Sequence, residues 1–208
     1  MIFPEVSKIN TDDISLKQKE LGTRDFDRGY RLIPYTDSDK TFPNFLKCWH
    51  YGISPKAPIE HESNWLFIGG IDFGWNDPFC ALCGFLDKDD CLWVWYERYL
   101  NKTPIEKHAE KLPKFYDRPI VWYADHEPEL VNKLRKGGHT VRRANKAIIA
   151  GVNAVNNRIY DGKLKIIKNR AIAVVKESEL YKYPDEEDSG GGDKPIDAYN
   201  HAMDALRY

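Results

Sequence analysis

The chain has 208 residues, 42% hydrophobic and 30% charged, with 31 Lys and Arg against 32 Asp and Glu for a formal net charge of -1. That composition is ordinary for a globular protein and excludes a uniformly basic nucleic-acid coat; a chain this long buries roughly 70% of the surface its unfolded form exposes, enough for a core without disulfides or a structural metal. No apolar run approaches the roughly 18 residues of a membrane span, and Met1–Asn10 lacks the basic start and long apolar centre of a secretory signal, so a cytoplasmic protein without a membrane partner is expected.

Residues 1–64 carry short amphipathic stretches and scattered prolines at 4, 34, 43, 55 and 58, and read as an appendage or connector. Within them the periodicity predicts a short helix over Ile14–Arg24 and short strands over Arg31–Tyr35 and Phe45–Tyr51. No G-x-x-x-x-G-K-[ST] phosphate loop occurs in the chain, so no P-loop nucleotide motor is expected from it.

From Trp65 to Tyr208 the pattern is that of one domain. Trp65–Asp72 is an apolar run ending on a carboxylate and followed by the turn-rich Phe73–Pro78. Phe79–Leu86 and Cys91–Leu100 are two more strand-like runs, and the short polar Asp87–Asp90 between them suits an antiparallel hairpin. Cys80 and Cys83 hint at a zinc or redox pair, but residues three apart on a strand face opposite sides of a sheet, and only Cys48 and Cys91 remain as partners. Buried free thiols are therefore expected. Helical spacing then runs over Pro104–Phe115, with proline at the start where its missing N–H is harmless. Ile120–Asp125 is a second apolar run ending on a carboxylate. A helix over Pro128–Lys136, stopped by Gly137-Gly138, precedes a strand at Thr140–Arg143, a helix over Ala147–Tyr160, a strand or hairpin arm at Lys163–Ile167 and a helix over Ala171–Tyr181. An acidic, glycine-rich loop from Pro184 to Pro195 leads to a last helix, Ile196–Tyr208.

This order predicts an α/β fold: a mixed sheet made of an antiparallel three-strand meander plus parallel strands, with helices on both faces. If the Ile120 strand pairs parallel with the Trp65 strand, Asp72 and Asp125 meet outside the carboxyl ends of the strands, where such sheets hold ligands. On the last helix Asp197, His201, Asp204 and Tyr208 recur at spacings of four, three and four and share one face. Converging carboxylates repel one another unless protonated or neutralised, and hard oxygen donors suit magnesium or manganese. Two such ions roughly 3.5–4 Å apart form the clamp used for in-line displacement at phosphorus. Asp197, just after Pro195, reads as a favourable charge at the helix start rather than a ligand.

Phe67–Gly74 (FIGGIDFG), Val121–Asp125 (VWYAD), the pattern Lys146-x2-Ile149-x-Gly151-Val152-x2-Val155-x2-Arg158 and the closing Asn200–Tyr208 (NHAMDALRY) resemble the nuclease domain of the large terminase subunit of tailed bacteriophages, a ribonuclease H-like domain. Leu21–Tyr35 also resembles the stretch that joins the packaging ATPase to that nuclease, and the missing ATPase points to a separated fragment. The resemblance implies that Asp72, Asp125 and Asp204 are catalytic and ligate two Mg2+ or Mn2+ ions, with His201 at the edge of the second site and Asp77 an auxiliary. It implies a metal-dependent endonuclease that cuts double-stranded viral DNA during genome packaging with little sequence preference, in the cytoplasm of an infected bacterium. The partners implied are double-stranded DNA, a packaging ATPase domain, a small terminase subunit and a portal. The carboxylates alone leave open a resolvase or ribonuclease H acting on branched or hybrid substrates, and a non-catalytic module that docks DNA or a portal.

Between Glu127 and Tyr183 there are thirteen Lys and Arg against five acids, a local balance of +8. Basic residues following Asp125 are placed to contact phosphates without reading sequence. Arg143 and Lys146 are the first candidates, with Lys133 and Arg142 behind them.

Overall fold

A computed structural model describes residues 40–50, 65–115, 118–184 and 194–208. The elements expected over Ile14–Arg24 and Arg31–Tyr35 lie outside the described residues.

Among the described residues one sheet of seven strands forms: β1 (Trp49–His50), β2 (Leu66–Asp72), β3 (Phe79–Leu86), β4 (Leu92–Leu100), β5 (Val121–Ala124), β6 (Thr140–Arg143) and β7 (Leu164–Ile167), in the spatial order β1-β7-β4-β3-β2-β5-β6. The meander β2-β3-β4 is antiparallel, and every other pairing is parallel. β3 is central because its run FCALCGFL is apolar at every position, and all but its last residue are buried. Cys80 joins the core on one face of the sheet and Cys83 the core on the other, as their spacing requires. All four cysteines are free and buried.

Helices α1 (Ile105–Lys111) and α2 (Pro128–Lys136) cover one face, burying Ile105, Ala109 and Leu134 against Phe67, Ile71, Phe85 and Trp122. Helices α3 (Ile148–Tyr160), α4 (Ala173–Leu180) and α5 (His201–Arg207) cover the other, burying Val152, Val155, Val174, Ala202 and Met203 against Cys80, Leu82, Val94 and Ile166. The fold is the expected α/β mixed sheet with both faces covered.

Three elements differ from expectation. α1 ends at Lys111 because Leu112 is extended, the conformation that Pro113 imposes on the residue before it. The last helix begins at His201, not Ile196: Tyr199 has φ 55 and Asn200 caps the helix, so Asp197 lies outside it and accepts a hydrogen bond from Asn200 Nδ2 at 2.8 Å. The segment assigned to the appendage also contributes to the sheet. Phe42, Phe45 and Cys48 are buried in the α3–α5 core, a 3-10 helix replaces the first part of the expected strand at Phe45–Cys48, and β1 pairs with β7.

Candidate active site

Register brings the two strand-end aspartates together. β2 and β5 run parallel with Ile71 opposite Ala124, so Asp72 and Asp125 leave the sheet side by side at its carboxyl edge. Two glycines before Asp72 let other groups approach this strand closely. A Cβ on Gly69 would fall 2.3 Å from the Trp122 ring, and one on Gly70 would fall 1.8 Å from the carbonyl oxygen of Ala205. α5 therefore lies directly on the backbone of β2, aided by the small buried Ala202 and Ala205. It enters from the carboxyl edge, because His201 Nδ1 meets Asp72 Oδ2 at 3.0 Å while Ala205, one turn later, covers Gly70. Asp204 is carried to the same place.

Each of the three carboxylates has a basic partner on the protein. Asp72 pairs with His201, Asp125 Oδ2 accepts from Lys146 Nζ at 2.6 Å, and Asp204 Oδ1 accepts from Arg207 Nε at 2.7 Å. Burial pushes the Asp72 carboxyl up from its ordinary value; the His201 hydrogen bond opposes this, and the charges of Asp204 and Asp125 add to the rise. The reverse holds at Asp125: burial works against its charge, but the Lys146 hydrogen bond, the His126 N–H and the Lys146 charge together hold the carboxyl below the ordinary range. Tyr208 is raised by burial and then by the charges of Asp72, Asp204 and Asp125, so the three acids act on one phenol. The Asp72 hydrogen bond raises His201, and the charges of Asp72, Glu177 and Asp77 add to it against burial.

Among the described residues no three His, Cys, Asp or Glu side chains stand close enough together to hold a cation as they are. One oxygen of Asp125 and one of Asp204 face Lys146 and Arg207 instead. The donor chemistry nevertheless fits a hard divalent ion, because the acids offer oxygen ligands whose like charges already raise Asp72.

Several supporting residues went unnoticed in the sequence. The Arg207 side chain is 3% exposed, packs its stem against Gly151 of α3, and sets its guanidinium 4.9 Å from the Tyr208 ring. Glu177 on α4 is buried; its carboxylate accepts the Tyr99 hydroxyl and, at 2.6 Å, the Ala202 N–H in the first turn of α5. It thereby satisfies a helix end that carries His201 and Asp204. Glu97 of β4 does the same for α4, accepting the N–H groups of Ile172, Ala173 and Val174 at 3.0, 2.8 and 2.8 Å. No local signal marks them in sequence, since Glu177 stands between Lys176 and Ser178 and Glu97 stands beside Arg98.

The basic residues expected to meet DNA are distributed unevenly. Lys146 lies on Asp125 itself. Arg143 ends β6 opposite Ala124, next to the carboxyl edge, with Arg142 one residue before it, and both are exposed. Lys133 bridges Glu106 of α1 and Glu129 of α2 at 3.5 and 3.1 Å, so its charge ties those helices together. Asp77 sits in the turn after Asp72, near enough for its charge to act on His201. Arg158, part of the α3 pattern, pairs with Asp90 of the β3–β4 hairpin at 3.2 Å.

Comparison with known proteins bears on the family and the fold. The sequence profile of the Terminase RNaseH-like domain family matches residues 69–206. No curated protein matches the chain. Among solved structures, the large terminase from a thermophilic bacteriophage is similar with a TM-score of 0.72 and 15% identity, over 97% of this chain and 52% of that one. The P22 large terminase nuclease domain is similar with a TM-score of 0.65 and 19% identity, over 81% of this chain and 89% of that one. The large terminase nuclease domain from bacteriophage SPP1, with bound Mn, gives a TM-score of 0.58 at 20% identity over 77% and 92% of the two chains. This chain spans about half the length of the first of these structures.

Proposed function

The chain belongs to the Terminase RNaseH-like domain family, and from that premise we propose that it is a metal-dependent endonuclease that cuts double-stranded viral DNA during genome packaging, with little sequence preference. The observation that carries this reading is the meeting of Asp72, Asp125 and the α5 residues Asp204 and His201 at the carboxyl edge of the sheet. The bound Mn of the SPP1 nuclease domain supports a divalent ion for this fold. Two Mg2+ or Mn2+ ions would be held by Asp72, Asp125 and Asp204, with His201 at the margin of one and Asp77 as an auxiliary. Bound there, such ions supply Lewis-acid stabilisation of charge on the phosphodiester and an activated water.

The protein's own groups prepare that chemistry. His201 holds Asp72, and Arg207 holds one oxygen of Asp204. Lys146 neutralises Asp125 and, on leaving it, is placed to meet an incoming phosphate. Arg143 on the neighbouring strand extends the basic flank. No Ser, Cys or Tyr nucleophile is required, and attack by water leaves a 5′-phosphate and a free 3′-hydroxyl. In its viral setting the domain works in the host cytoplasm beside a packaging ATPase, a small terminase subunit and a portal.

Supercoiled plasmid incubated with Mn2+ or Mg2+ tests this proposal. Nicking that requires the metal and disappears in Asp125→Ala is the expected result; metal-independent cutting, or activity untouched in that variant, would overturn it. Duplex, four-way junction and RNA–DNA hybrid cut side by side identify the substrate, and preference for the hybrid would replace DNA packaging with a ribonuclease H role.

A further inference from the structure

Two large aromatic side chains stand out at the carboxyl edge. Trp75 is 56% exposed and Tyr199 is 53% exposed, whereas Trp93, Trp95 and Trp122 pack in or against the α1–α2 core. Both positions follow from the topology. Trp75 lies three residues beyond Asp72, in a turn clamped to the end of β4: its carbonyl accepts the Lys102 N–H at 2.8 Å, and the carbonyl of Asn76 accepts from Asn101 Nδ2 at 3.5 Å. β4 runs parallel to β2, since both are antiparallel to β3, so this clamp sits at the same edge as Asp72. Tyr199 lies two residues before His201, on the segment by which α5 enters the site. Its backbone has φ 55, a conformation that costs a bulky residue energy and that gathers at functional sites. The Asp197–Asn200 hydrogen bond spans this turn.

Exposed aromatic residues held in fixed turns three residues beyond Asp72 and two before His201 suit base stacking. We infer that Trp75 and Tyr199 contact unstacked DNA bases flanking the cut, so that the site engages a locally opened duplex. Every base offers a π face, so such contacts hold DNA without reading its sequence, and apolar wedges are a known means of unstacking a duplex step. The inference rests on the nuclease reading for the identity of the ligand.

Fluorescence anisotropy without divalent metal tests it, using a fully paired duplex and the same duplex with a central unpaired bubble. The wild-type chain is expected to bind the bubble more tightly. Trp75→Ala and Tyr199→Ala should each weaken bubble binding by about tenfold, change duplex binding by less than about twofold because phosphate contacts remain, and melt at the wild-type temperature. Trp75→Phe and Tyr199→Phe should retain most of the preference. Alanine variants that bind the bubble as the wild type does, or that weaken both DNAs equally, would overturn the inference. Because binding is read without metal, it is scored separately from nicking: a chain that discriminates the bubble through these residues yet never nicks plasmid supports the stacking contacts and overturns only the nuclease reading.

Discussion

Gly70→Ala is expected to disable the site without altering any of its ionisable groups. A Cβ at residue 70 would lie 1.8 Å from the carbonyl oxygen of Ala205 and 2.8 Å from its carbonyl carbon, where ordinary contact begins at 3.4 Å. Backbone rather than the tip of a flexible side chain stands in the way, so α5 must lift off β2 by about 1.5 Å for the overpacked methyl to fit. Overpacking of this kind costs about 1–3 kcal/mol, and the backbone clash places this case near about 3 kcal/mol. A domain with an ordinary stability of about 5–15 kcal/mol still folds. Asp204 immediately precedes Ala205 and moves with it, and a displacement of about 1 Å at a catalytic group lowers rates by about 100-fold. Urea denaturation gives the first quantity and the Mn2+-dependent nicking rate of the folded variant gives the second. Gly162→Ala is the control: it strains a φ of +69 but meets nothing within 4 Å, so it should lose about 1 kcal/mol and nick normally. Wild-type stability and nicking in Gly70→Ala would refute the close packing of α5 on β2 and its role in placing Asp204.

Other perturbations probe the supports around the site. Glu177→Ala strands the Tyr99 hydroxyl and the Ala202 N–H in a buried place, with an expected loss of about 3 kcal/mol; hydrogen exchange should accelerate selectively over residues 201–207, and unchanged protection there would contradict the anchoring role. His108 is 1% exposed, and burial together with the Arg98 charge lowers its pKa to about 4. Since this folded value lies below the ordinary 6.5, the unfolded chain takes up the proton first, and stability should fall as the pH drops from 6.5 towards 4, by on the order of 3 kcal/mol. Denaturation curves of wild type and His108→Gln isolate that contribution, and an equal acid sensitivity of the two would contradict it. Lys146→Ala removes the hydrogen bond and charge that hold Asp125 down, so the carboxyl should titrate at higher pH by carbon-detected NMR; an unmoved titration would show that the pair does not form in solution.

How much of this was legible depends on where each signal lies. The strand Phe79–Leu86, the helix Pro128–Lys136 and the strand Thr140–Arg143 stand where the sequence places them, because an unbroken apolar run, an N-terminal proline and a Gly-Gly stop are local signals. The parallel pairing that aligns Asp72 with Asp125 enters the sequence reading as a condition, and the register meets it. The last helix is shorter than its sequence suggests because the spacing of Asp197, His201, Asp204 and Tyr208 is helical on paper, whereas the backbone at Tyr199 turns left-handed. The contribution of Phe42, Phe45 and Cys48 was missed because their partners are distant: Thr41 is bonded to Asn156 and Tyr181, far along the chain. Glu177 carries no local signal of its role, since the groups it holds lie 25 and 78 residues away in sequence. Lys146 was read as a phosphate contact, and its pairing with Asp125 depends on how the segment after β6 folds back over the edge.

Anomalous scattering from a crystal grown with Mn2+ addresses the central claim most directly. Manganese peaks ligated by Asp72, Asp125 and Asp204, with the Lys146 ammonium withdrawn from Asp125, are expected. Manganese bound elsewhere, with the Lys146–Asp125 and Arg207–Asp204 pairs intact at saturating metal, would contradict it.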